Sequence, residues 1–341
     1  MRPKTQGTLR SVLLLSLLVS AARLAAAQTA TVRPGALPAE NPKLRAEAVG
    51  LLDRANHVSS PAVWGSNELT LHFHVPNPVD GQPNDGDYVS DVAAPGVRHQ
   101  EWHYGAYQMV QIRNGQRIVY LRNNVPKPLA LEWLQRVAPI YLARFDHEDI
   151  IRSITDGPGD SRCIHFETVF GHSLQDCEAC VDSKNGWLLS IRQGDVTTRN
   201  SSFFPFAGSF LPGHIERWVG NILLIAVDQT VVPKDFPSEL FNVPEDTTGS
   251  LCQEFRGAYA ISTPQPEAGS SPDITDVTLI GYIDFDGHAK RLKSLDPTRP
   301  ELSAEAIKQV STWTYTPATC NGKPVAWETQ FVVHFKGAVP H

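Results

Sequence analysis

The feature that most constrains this chain is a repeated alternation of apolar and polar residues with a period of two. The run ELTLHFHV, which begins at Glu68, alternates in this way, and YQMVQIRNGQRIVYLRNN holds two such runs joined by Asn114-Gly115. Alternation places one face of a strand on a core, and Asn-Gly between two runs is a strong hairpin signal. Similar runs follow up to about residue 245. The pattern predicts many antiparallel strands, in an α+β or curved-sheet fold.

Two helices and two linkers divide the chain. Apolar residues recur at helical spacing in KLRAEAVGLLDRAN, residues 43–56, and in LALEWLQRVAPIYLARF, where residues 131, 134 and 137 share one face. QTATVRPGALPAENP and STPQPEAGSSPDIT are rich in proline and polar residues and indicate linkers. We predict a linker over 28–43, an N-terminal domain over 44–245, a linker over 246–273 and a C-terminal domain over 274–336.

The first residues predict export. Arg2, Lys4 and Arg10 precede the apolar run SVLLLSLLVSAARLAAAQ, which ends in small residues. A basic start, a short apolar stretch and an Ala-x-Ala ending are typical of a cleaved signal peptide, here over residues 1–27. The apolar stretch is shorter than the ~20 residues that a membrane span needs, and Arg23 interrupts it. The alternative is a membrane anchor that stays in place.

The charge balance excludes one class of function. The formal net charge is -6, and no basic patch stands out in the sequence. A nucleic-acid-binding protein usually shows a basic footprint. We therefore expect no nucleic-acid partner.

The C-terminal residues carry the signals of a small β-β-α-β unit. DVTLIGYIDFDGHAKRLKSL predicts a hairpin that turns at Asp286-Gly287. DPTRPELSAEAIKQVSTWTY predicts a helix with Ser303 as its N-cap and Glu305 in its first turn. The residues expected on the core face are Val277, Leu279, Gly281, Ile283 and Phe285 on the hairpin, and Ala306, Val310 and Trp313 on the helix.

The last strand follows a tight turn. Pro317 prevents the helix from continuing, and Asn321-Gly322 turns the chain into AWETQFVVHF. Phe331, Val333 and Phe335 alternate along this final run. These roles explain the close spacing of tryptophan, proline and turn residues without any catalytic function.

These motifs resemble the C-terminal domain of TonB, the energy transducer of Gram-negative bacteria. The resemblance covers residues 274–336 and rests on DFDGHAKRLKSL, ELSAEAIKQVSTWTYTPA and NGKPVAWETQFVVHF. It implies a β-β-α-β fold that binds a segment of a periplasmic or outer-membrane protein by strand pairing. The residues that carry the motif are Gly287, Trp313, Tyr315, Pro317, Asn321, Gly322 and Pro324.

Two departures from TonB limit what the resemblance implies. A transducer needs a retained membrane helix and an extended proline-rich stalk, whereas this chain has a signal of the cleavable type and a folded domain in place of the stalk. We therefore predict a periplasmic binding protein rather than a transducer, and keep a membrane-anchored TonB-type transducer as an alternative.

The N-terminal domain resembles the LolA-like group that carries outer-membrane lipoproteins. The resemblance rests on the strand order, on WHYGAY and on the Pro-Lys-Pro entry to the second helix. It implies a half-barrel-like curved sheet with a helix over its concave face and an apolar cavity for a lipid or another apolar ligand. The residues expected to line that cavity are Phe203, Phe204, Phe206 and Phe210; the alternative is that they are ordinary core or loop-anchoring aromatics.

Five cysteines in an exported chain favour disulfides. A hairpin near residues 171–176 would bring Cys163 beside Cys180, with Cys163–Cys177 as the alternative pair. Cys320 is expected to pair with Cys252 and to attach the linker to the C-terminal domain; the alternative is a free, exposed thiol at Cys320. Cys177-x-x-Cys180 lacks the βαβ context of a redox motif.

The histidines are candidates for a metal site that the sequence does not complete. His72 and His74 share one strand face, and His99 and His103 would lie one turn apart if they were helical. No carboxylate or cysteine spacing completes a known site, so we predict no metal and no cofactor. No catalytic motif is visible, which favours a non-enzymatic protein. The alternative is a metal-dependent or hydrolytic enzyme in residues 44–245.

Overall fold

The described chain consists mostly of strands joined by short turns. The computed structural model describes residues 41–59, 65–123, 125–137, 145, 149–170, 173–243, 254–266, 275–295 and 298–335. These residues belong to one compact unit. The predicted signal peptide, residues 1–27, and most of the first predicted linker lie outside the described residues.

Within the described residues, fourteen strands precede the second predicted linker. They are β1 (Asn67–His74), β2 (Asp85–Ala94), β3 (Val97–Tyr104), β4 (Tyr107–Asn114), β5 (Arg117–Arg122), β6 (Ile150–Asp156), β7 (Ser161–Phe170), β8 (Ser173–Asp182), β9 (Leu188–Gln193), β10 (Val196–Ser201), β11 (Phe204–Phe206), β12 (Ser209–Leu211), β13 (His214–Val219) and β14 (Ile222–Pro233). Of these, β11 and β12 form a separate hairpin. The others form one twelve-stranded sheet.

The large sheet is open and antiparallel. Its strand order is β5-β4-β3-β2-β1-β14-β13-β10-β9-β8-β7-β6, so two series of sequential strands meet where β1 pairs with β14. Asn67 lies opposite Pro233 and His74 opposite Ala226 in this register. The predicted curved antiparallel sheet is therefore confirmed.

In the part of the chain that the structure describes, two helices pack on this sheet. Helix α1 (Pro42–Ser59) buries Ala48 and Leu52 in a cluster formed with β6 to β9. Helix α2 (Leu129–Gln135) buries Leu131, Trp133 and Leu134 in a second cluster, formed with strands β1 to β4, β13 and β14. Both helices match the segments predicted from the 3.6-residue spacing, and a short 3-10 helix follows at Ser238–Phe241.

The C-terminal domain is built around a three-stranded sheet and one helix. Its elements are β17 (Thr275–Ile283), β18 (Ala289–Ser294), α3 (Pro300–Val310), β19 (Thr314–Thr316), β20 (Ala318–Cys320), β21 (Lys323–Val325) and β22 (Trp327–Phe335). Two short strands within the predicted linker, β15 (Phe255–Arg256) and β16 (Tyr259–Ser262), pair with β20 and β19 of this domain. The main sheet has the order β18-β17-β22, and the two small sheets have the orders β15-β20-β21 and β16-β19.

The predicted core of this domain is confirmed, with two corrections. Ala306, Val310 and Trp313 pack on the sheet in one cluster. Phe285, however, is 64% exposed, because β17 ends at Ile283 and Phe285 belongs to the turn that follows.

The second correction concerns the start of α3. Ser303 is not the N-cap, because Pro300, whose fixed φ suits a first helical position, begins the helix one turn earlier. Ser303 Oγ instead lies 2.8 Å from Ser294 Oγ on β18. The acidic residue of the first turn is consequently Glu301 rather than Glu305.

Two motif glycines in this domain differ in what surrounds them. Gly287 and Gly322 both have positive φ, but a Cβ at Gly287 would lie 2.1 Å from the carbonyl oxygen of Tyr315, whereas Gly322 has no neighbour within 4 Å. Both alanine variants carry the cost of a left-handed residue, about 1 kcal/mol, but only Gly287→Ala adds overpacking, worth about 1–3 kcal/mol. We expect Gly287→Ala to lower the free energy of unfolding by about 2 kcal/mol more than Gly322→Ala in urea titrations. Equal losses in the two variants would contradict this account.

Candidate functional site

Strand β22 forms one edge of the C-terminal sheet in the described part of the chain. Two hydrogen bonds fix which of its amides point away from β17. Leu295 N donates to Thr278 O at 3.0 Å, so the even-numbered residues of β17 face β18. His334, which lies opposite Asp276, donates its amide to Gln265 Oε1 at 3.1 Å. Because strand amides alternate in direction, the amides at positions 328, 330, 332 and 334 all face outward.

This edge has a packed layer on each face of its sheet. On one face, Phe331 and Val333 contact α3. On the other face, Ile280 is fully buried and Tyr282 is half-buried in the core cluster that contains α2 and strands β1 to β4. The C-terminal sheet therefore lies between its own helix and the N-terminal domain.

Glu328 joins the two domains next to this edge. Its side chain is 5% exposed and accepts three hydrogen bonds. Leu129 N, at the start of α2, donates to Oε2 at 2.9 Å, Gln82 Nε2 donates to Oε1 at 2.6 Å, and Tyr282 Oη donates to Oε1 at 3.2 Å. Two of the three donors belong to the N-terminal domain, so one carboxylate connects β22 to the loop after β1 and to α2.

Burial raises the pKa of Glu328 above its ordinary value. The hydrogen bonds from Leu129, Gln82 and Tyr282 act in the opposite direction, because they stabilise the ionised carboxylate. The same burial raises the pKa of Tyr282, and the nearby charge of Glu328 raises it further. The site is thus a desolvated polar cluster inside the contact between the domains.

Residues of the TonB-like motif form contacts inside the C-terminal domain that supports the edge strand. Trp313 is 4% exposed, and its Nε1 donates to Pro264 O at 2.9 Å. Tyr315 N donates to Gly287 O at 2.9 Å. The residues that define the TonB-like motif therefore stabilise the fold, and they do not present chemical groups at the β22 edge.

The turn residues lie between β20 and β21, shortly before β22. Asn321 has a φ of 50° and Gly322 a φ of 76°, and they connect β20 to β21, where Pro324 is exposed. Asn321 N donates to Glu254 O at 2.8 Å, and Glu254 N donates to Asn321 Oδ1 at 3.0 Å. Pro317 separates β19 from β20.

One predicted disulfide is present. Cys163 and Cys180 are bonded and lie opposite each other on β7 and β8, which excludes the alternative pair with Cys177. Cys177 is a free, buried thiol whose pKa is raised by burial. Cys320 is disulfide-bonded, but Cys252 lies outside the described residues, so the pairing of these two cysteines stays a prediction.

The four phenylalanines lie on and beside the β11–β12 hairpin. Phe206 is buried with Leu211 and Val231, and Phe204 packs against the same group. Phe203 stacks on Trp187 with ring centroids 4.7 Å apart, and Phe210 lies 5.7 Å from the same indole. Their role in lining a ligand cavity stays a prediction.

The histidines belong to strands, on the face opposite α2. His99 and His103 lie on β3, so the helical spacing considered for them is wrong. His72, on β1, pairs with Asp228 of β14 on one side and Asp87 of β2 on the other. His214 lies opposite Asp228, and Asp87 lies opposite His103. Histidines and carboxylates thus alternate across five neighbouring strands.

The sequence pattern did not single out Glu328, Gln82 or the carboxylates that face the histidines. Glu328 occupies the polar position of an alternating strand, which indicates solvent exposure when the strand is considered alone. Its burial depends on a second domain covering that face. The one available signal for the burial of Glu328 was a charged residue that alternates with buried residues on a strand near a domain boundary.

Among the helices that the structure describes, none has both the length and the apolar character required to cross a bilayer.

Comparisons with known proteins identify the C-terminal domain. Residues 275–336 match the family model described as the Gram-negative bacterial TonB protein C-terminal, which confirms the resemblance found in the sequence. A comparison with curated protein sequences gave no match.

Two solved structures are similar to the N-terminal part. A LolA superfamily protein from Nitrosomonas europaea is 16% identical with a TM-score of 0.37, covering 57% of this chain and 96% of its own. A domain from Vibrio parahaemolyticus described as an outer-membrane lipoprotein-sorting protein is 8% identical with a TM-score of 0.33, covering 57% of this chain and 95% of its own.

Proposed function

We propose that this chain is a non-enzymatic binding protein of the Gram-negative periplasm, exported by a cleavable signal peptide. Its TonB-like domain binds an extended segment of a periplasmic or outer-membrane protein by adding that segment as a strand to β22. The observation that carries the proposal is the row of outward-facing amides on β22 in a domain that matches the TonB C-terminal family.

The edge is suited to strand addition for a physical reason. Unpaired backbone N–H and C=O groups on an edge strand are a template for another extended chain. In the described part of the chain, β22 has one strand neighbour, β17. The outward groups of Gln330 and Val332 lie between two internal contacts, the Glu328 cluster at one end and Gln265 on His334 at the other. A short partner segment would meet these central groups first.

The N-terminal domain supports the proposal as the second binding element. The LolA-like resemblance implies a cavity for an apolar ligand in this domain, and it is this resemblance that supports the second binding element; α2 itself packs over β1 to β4 with its apolar residues buried in the core. We propose a lipid or another apolar molecule as that ligand, in a role connected with transport across the envelope. Co-purified lipid, extracted and weighed against protein, tests this part separately.

Strand addition predicts a specific effect of one proline. Val332→Pro removes an outward amide without removing a bond to β17, and edge strands tolerate proline at such a position. Ten-residue peptides taken from periplasm-facing segments of outer-membrane proteins serve as probes, with fluorescence anisotropy as the readout. We expect at least one peptide to bind the wild type and to bind Val332→Pro at least about tenfold more weakly, since one backbone hydrogen bond is worth about 1 kcal/mol and the ring also blocks approach.

Val332→Ala is the matched control, because it shortens the same side chain and keeps the amide. It should bind within about twofold of the wild type. Amide exchange adds a second readout, in which the bound peptide should slow exchange at Gln330 and Val332 and leave Phe331 and Val333 unchanged. Equal binding by the proline and alanine variants, or the absence of binding by every peptide, would refute strand addition at this edge.

A further inference from the structure

We propose that His72 and His74 bind a divalent transition-metal ion at the surface of the large sheet, with Asp85 and Asp87 orienting the two imidazoles. The inference is independent of the proposed binding function of β22. It depends on a cross-strand arrangement that becomes visible only when the register of β1 and β2 is known.

The four side chains occupy the corners of a rectangle on one face of the sheet. His72 lies opposite Asp87 and His74 opposite Asp85. Residues two apart on a strand are separated by about 6.8 Å and point to the same side. Leu71 and Phe73 point to the core on the other side, so both histidines face solvent, where a metal ion can reach them without opening the fold.

The two imidazoles are held in the same way. His74 Nδ1 donates to Asp85 Oδ1 at 2.8 Å, and His72 Nδ1 donates to Asp87 Oδ1. In a neutral imidazole, a donating Nδ1 leaves Nε2 as the unprotonated nitrogen with its lone pair available. Within the described residues, neither Nε2 has a protein partner. Two equivalent lone pairs are therefore presented side by side on one strand.

A carboxylate on the other ring nitrogen is the arrangement that metal-binding histidines adopt. It fixes the tautomer and raises the basicity of the ligating nitrogen. Imidazole suits Cu²⁺, Ni²⁺ and Zn²⁺, with bonds of about 2.0–2.1 Å to zinc. Residues two apart on a strand are separated by about 6.8 Å, so binding of one ion by both Nε2 atoms requires the two rings to tilt toward each other.

The neighbouring strands add negative charge around the site. Asp228 lies opposite His72 on the β14 side, although its carboxylate accepts a 2.7 Å hydrogen bond from His214 Nδ1. Asp87 also lies opposite His103 on β3. Carboxylates on both sides of His72 favour a cation there, and water can complete the coordination of an ion bound by the two imidazoles.

The site is a two-histidine chelate rather than a closed cage. Among the described residues, three ligand atoms lie within 4.8 Å of one another only at Cys163, Glu178 and Cys180, where the disulfide occupies both sulfurs. A two-histidine site leaves open positions on the metal. We therefore expect the bound metal ion to exchange with solution. Affinities should follow the order in which divalent metals bind imidazole, so Cu²⁺ should bind most tightly and Mg²⁺ should not bind.

The chain contains a matched control pair. His334 Nδ1 donates to Asp276 Oδ1 at 2.7 Å across β22 and β17, and both side chains are about half exposed, at 53% and 50%. This pair has the same contact as His74–Asp85 but has no second histidine two residues away on its strand. It separates the effect of a chelate from that of a single carboxylate-bound histidine.

The experiment uses the full chain, freed of metal with a chelator and titrated with Cu²⁺ alone, with Zn²⁺ and Mg²⁺ in parallel. Calorimetry gives affinity, and electron paramagnetic resonance of the Cu²⁺ complex reports coordinated imidazole nitrogen. We expect His72→Ala and His74→Ala each to weaken the tightest site at least about tenfold, and Asp85→Asn with Asp87→Asn to weaken it about 10–100-fold. His334→Ala should change it by less than about twofold.

The outcomes separate the proposal from general surface binding. All four residues are exposed, so circular dichroism and melting should match the wild type in each variant. Loss of the two-nitrogen spectrum in both single histidine variants supports the chelate. The proposal is overturned if the double variant of His72 and His74 binds Cu²⁺ as the wild type does, or loses no more affinity than His334→Ala.

Discussion

Replacing Trp313 by alanine is expected to lower the free energy of unfolding by about 3–5 kcal/mol, the range for a buried tryptophan. Trp313 is 4% exposed and packs between α3 and the sheet, with its ring centroid 6.5 Å from that of Phe331. Its indole Nε1 also donates to Pro264 O at 2.9 Å. The substitution removes the largest buried side chain of a small core and one of the two donors to that carbonyl, which also accepts from Gln309 Nε2 at 2.6 Å. Equilibrium unfolding of the full chain in urea measures the loss.

Two further variants separate the causes of this loss. Trp313→Phe keeps an aromatic ring but cannot donate to Pro264, and should cost about 1–2 kcal/mol for the hydrogen bond and the reduced volume. Tyr259→Ala removes an aromatic ring that is 62% exposed and should change stability by less than about 0.5 kcal/mol. A loss below about 1 kcal/mol in Trp313→Ala would show that the ring is not the centre of this core.

Local sequence signals predicted the parts of the fold that depend on neighbouring residues. Asn114-Gly115 marked the β4–β5 hairpin, and alternation placed Val277 and Leu279 on the buried face of β17. Helical spacing placed Ala306 and Val310 on one face of α3. Each of these features requires contacts between elements that are close in sequence, and short-range patterns record such contacts directly.

Long-range pairing could not be predicted in the same way. β1 and β14 join the two halves of the large sheet, although Asn67 and Pro233 are far apart in sequence. Alternation shows which face of each strand is buried, but it contains no information about which strand lies beside it. The neighbours of a strand follow from the packing of the whole domain, so the histidine and carboxylate rows were invisible before the register was known.

The candidate site illustrates the same limit. β22 was predicted as a strand and its odd-numbered residues as core, and both are confirmed. Glu328 and Ile280 share the other face, where Ile280 is fully buried against the N-terminal core. A sheet face that packs on a separate domain carries both polar and apolar residues, because it must match one particular surface. A face that packs on the domain's own core is mainly apolar.

Because the two domains share this face, the contact at Glu328 is expected to contribute to the stability of the whole chain. Glu328→Ala should lower the free energy of unfolding by about 3 kcal/mol, because it leaves the donors on Leu129, Gln82 and Tyr282 without their acceptor in a buried place. Glu305→Ala, on the exposed side of α3, is the control and should stay within about 0.5 kcal/mol of the wild type. Urea titration at neutral pH gives both values. A loss below about 1 kcal/mol in Glu328→Ala would indicate that water or a neighbouring group replaces the carboxylate.

The pH dependence of this effect has a definite sign. Burial raises the pKa of Glu328 above its ordinary value of 4.5, so the folded chain binds this proton more strongly than the unfolded chain does. The resulting stability is fully present below pH 4.5 and is lost as the pH rises through the folded pKa. Glu328→Gln cannot titrate and keeps the shape of the side chain. The wild type should therefore gain stability relative to Glu328→Gln as the pH falls from neutral toward the ordinary carboxyl pKa. A difference that stays constant with pH, or that changes in the opposite direction, would contradict a pKa raised by burial and would point to an ionised carboxylate held mainly by its three donors.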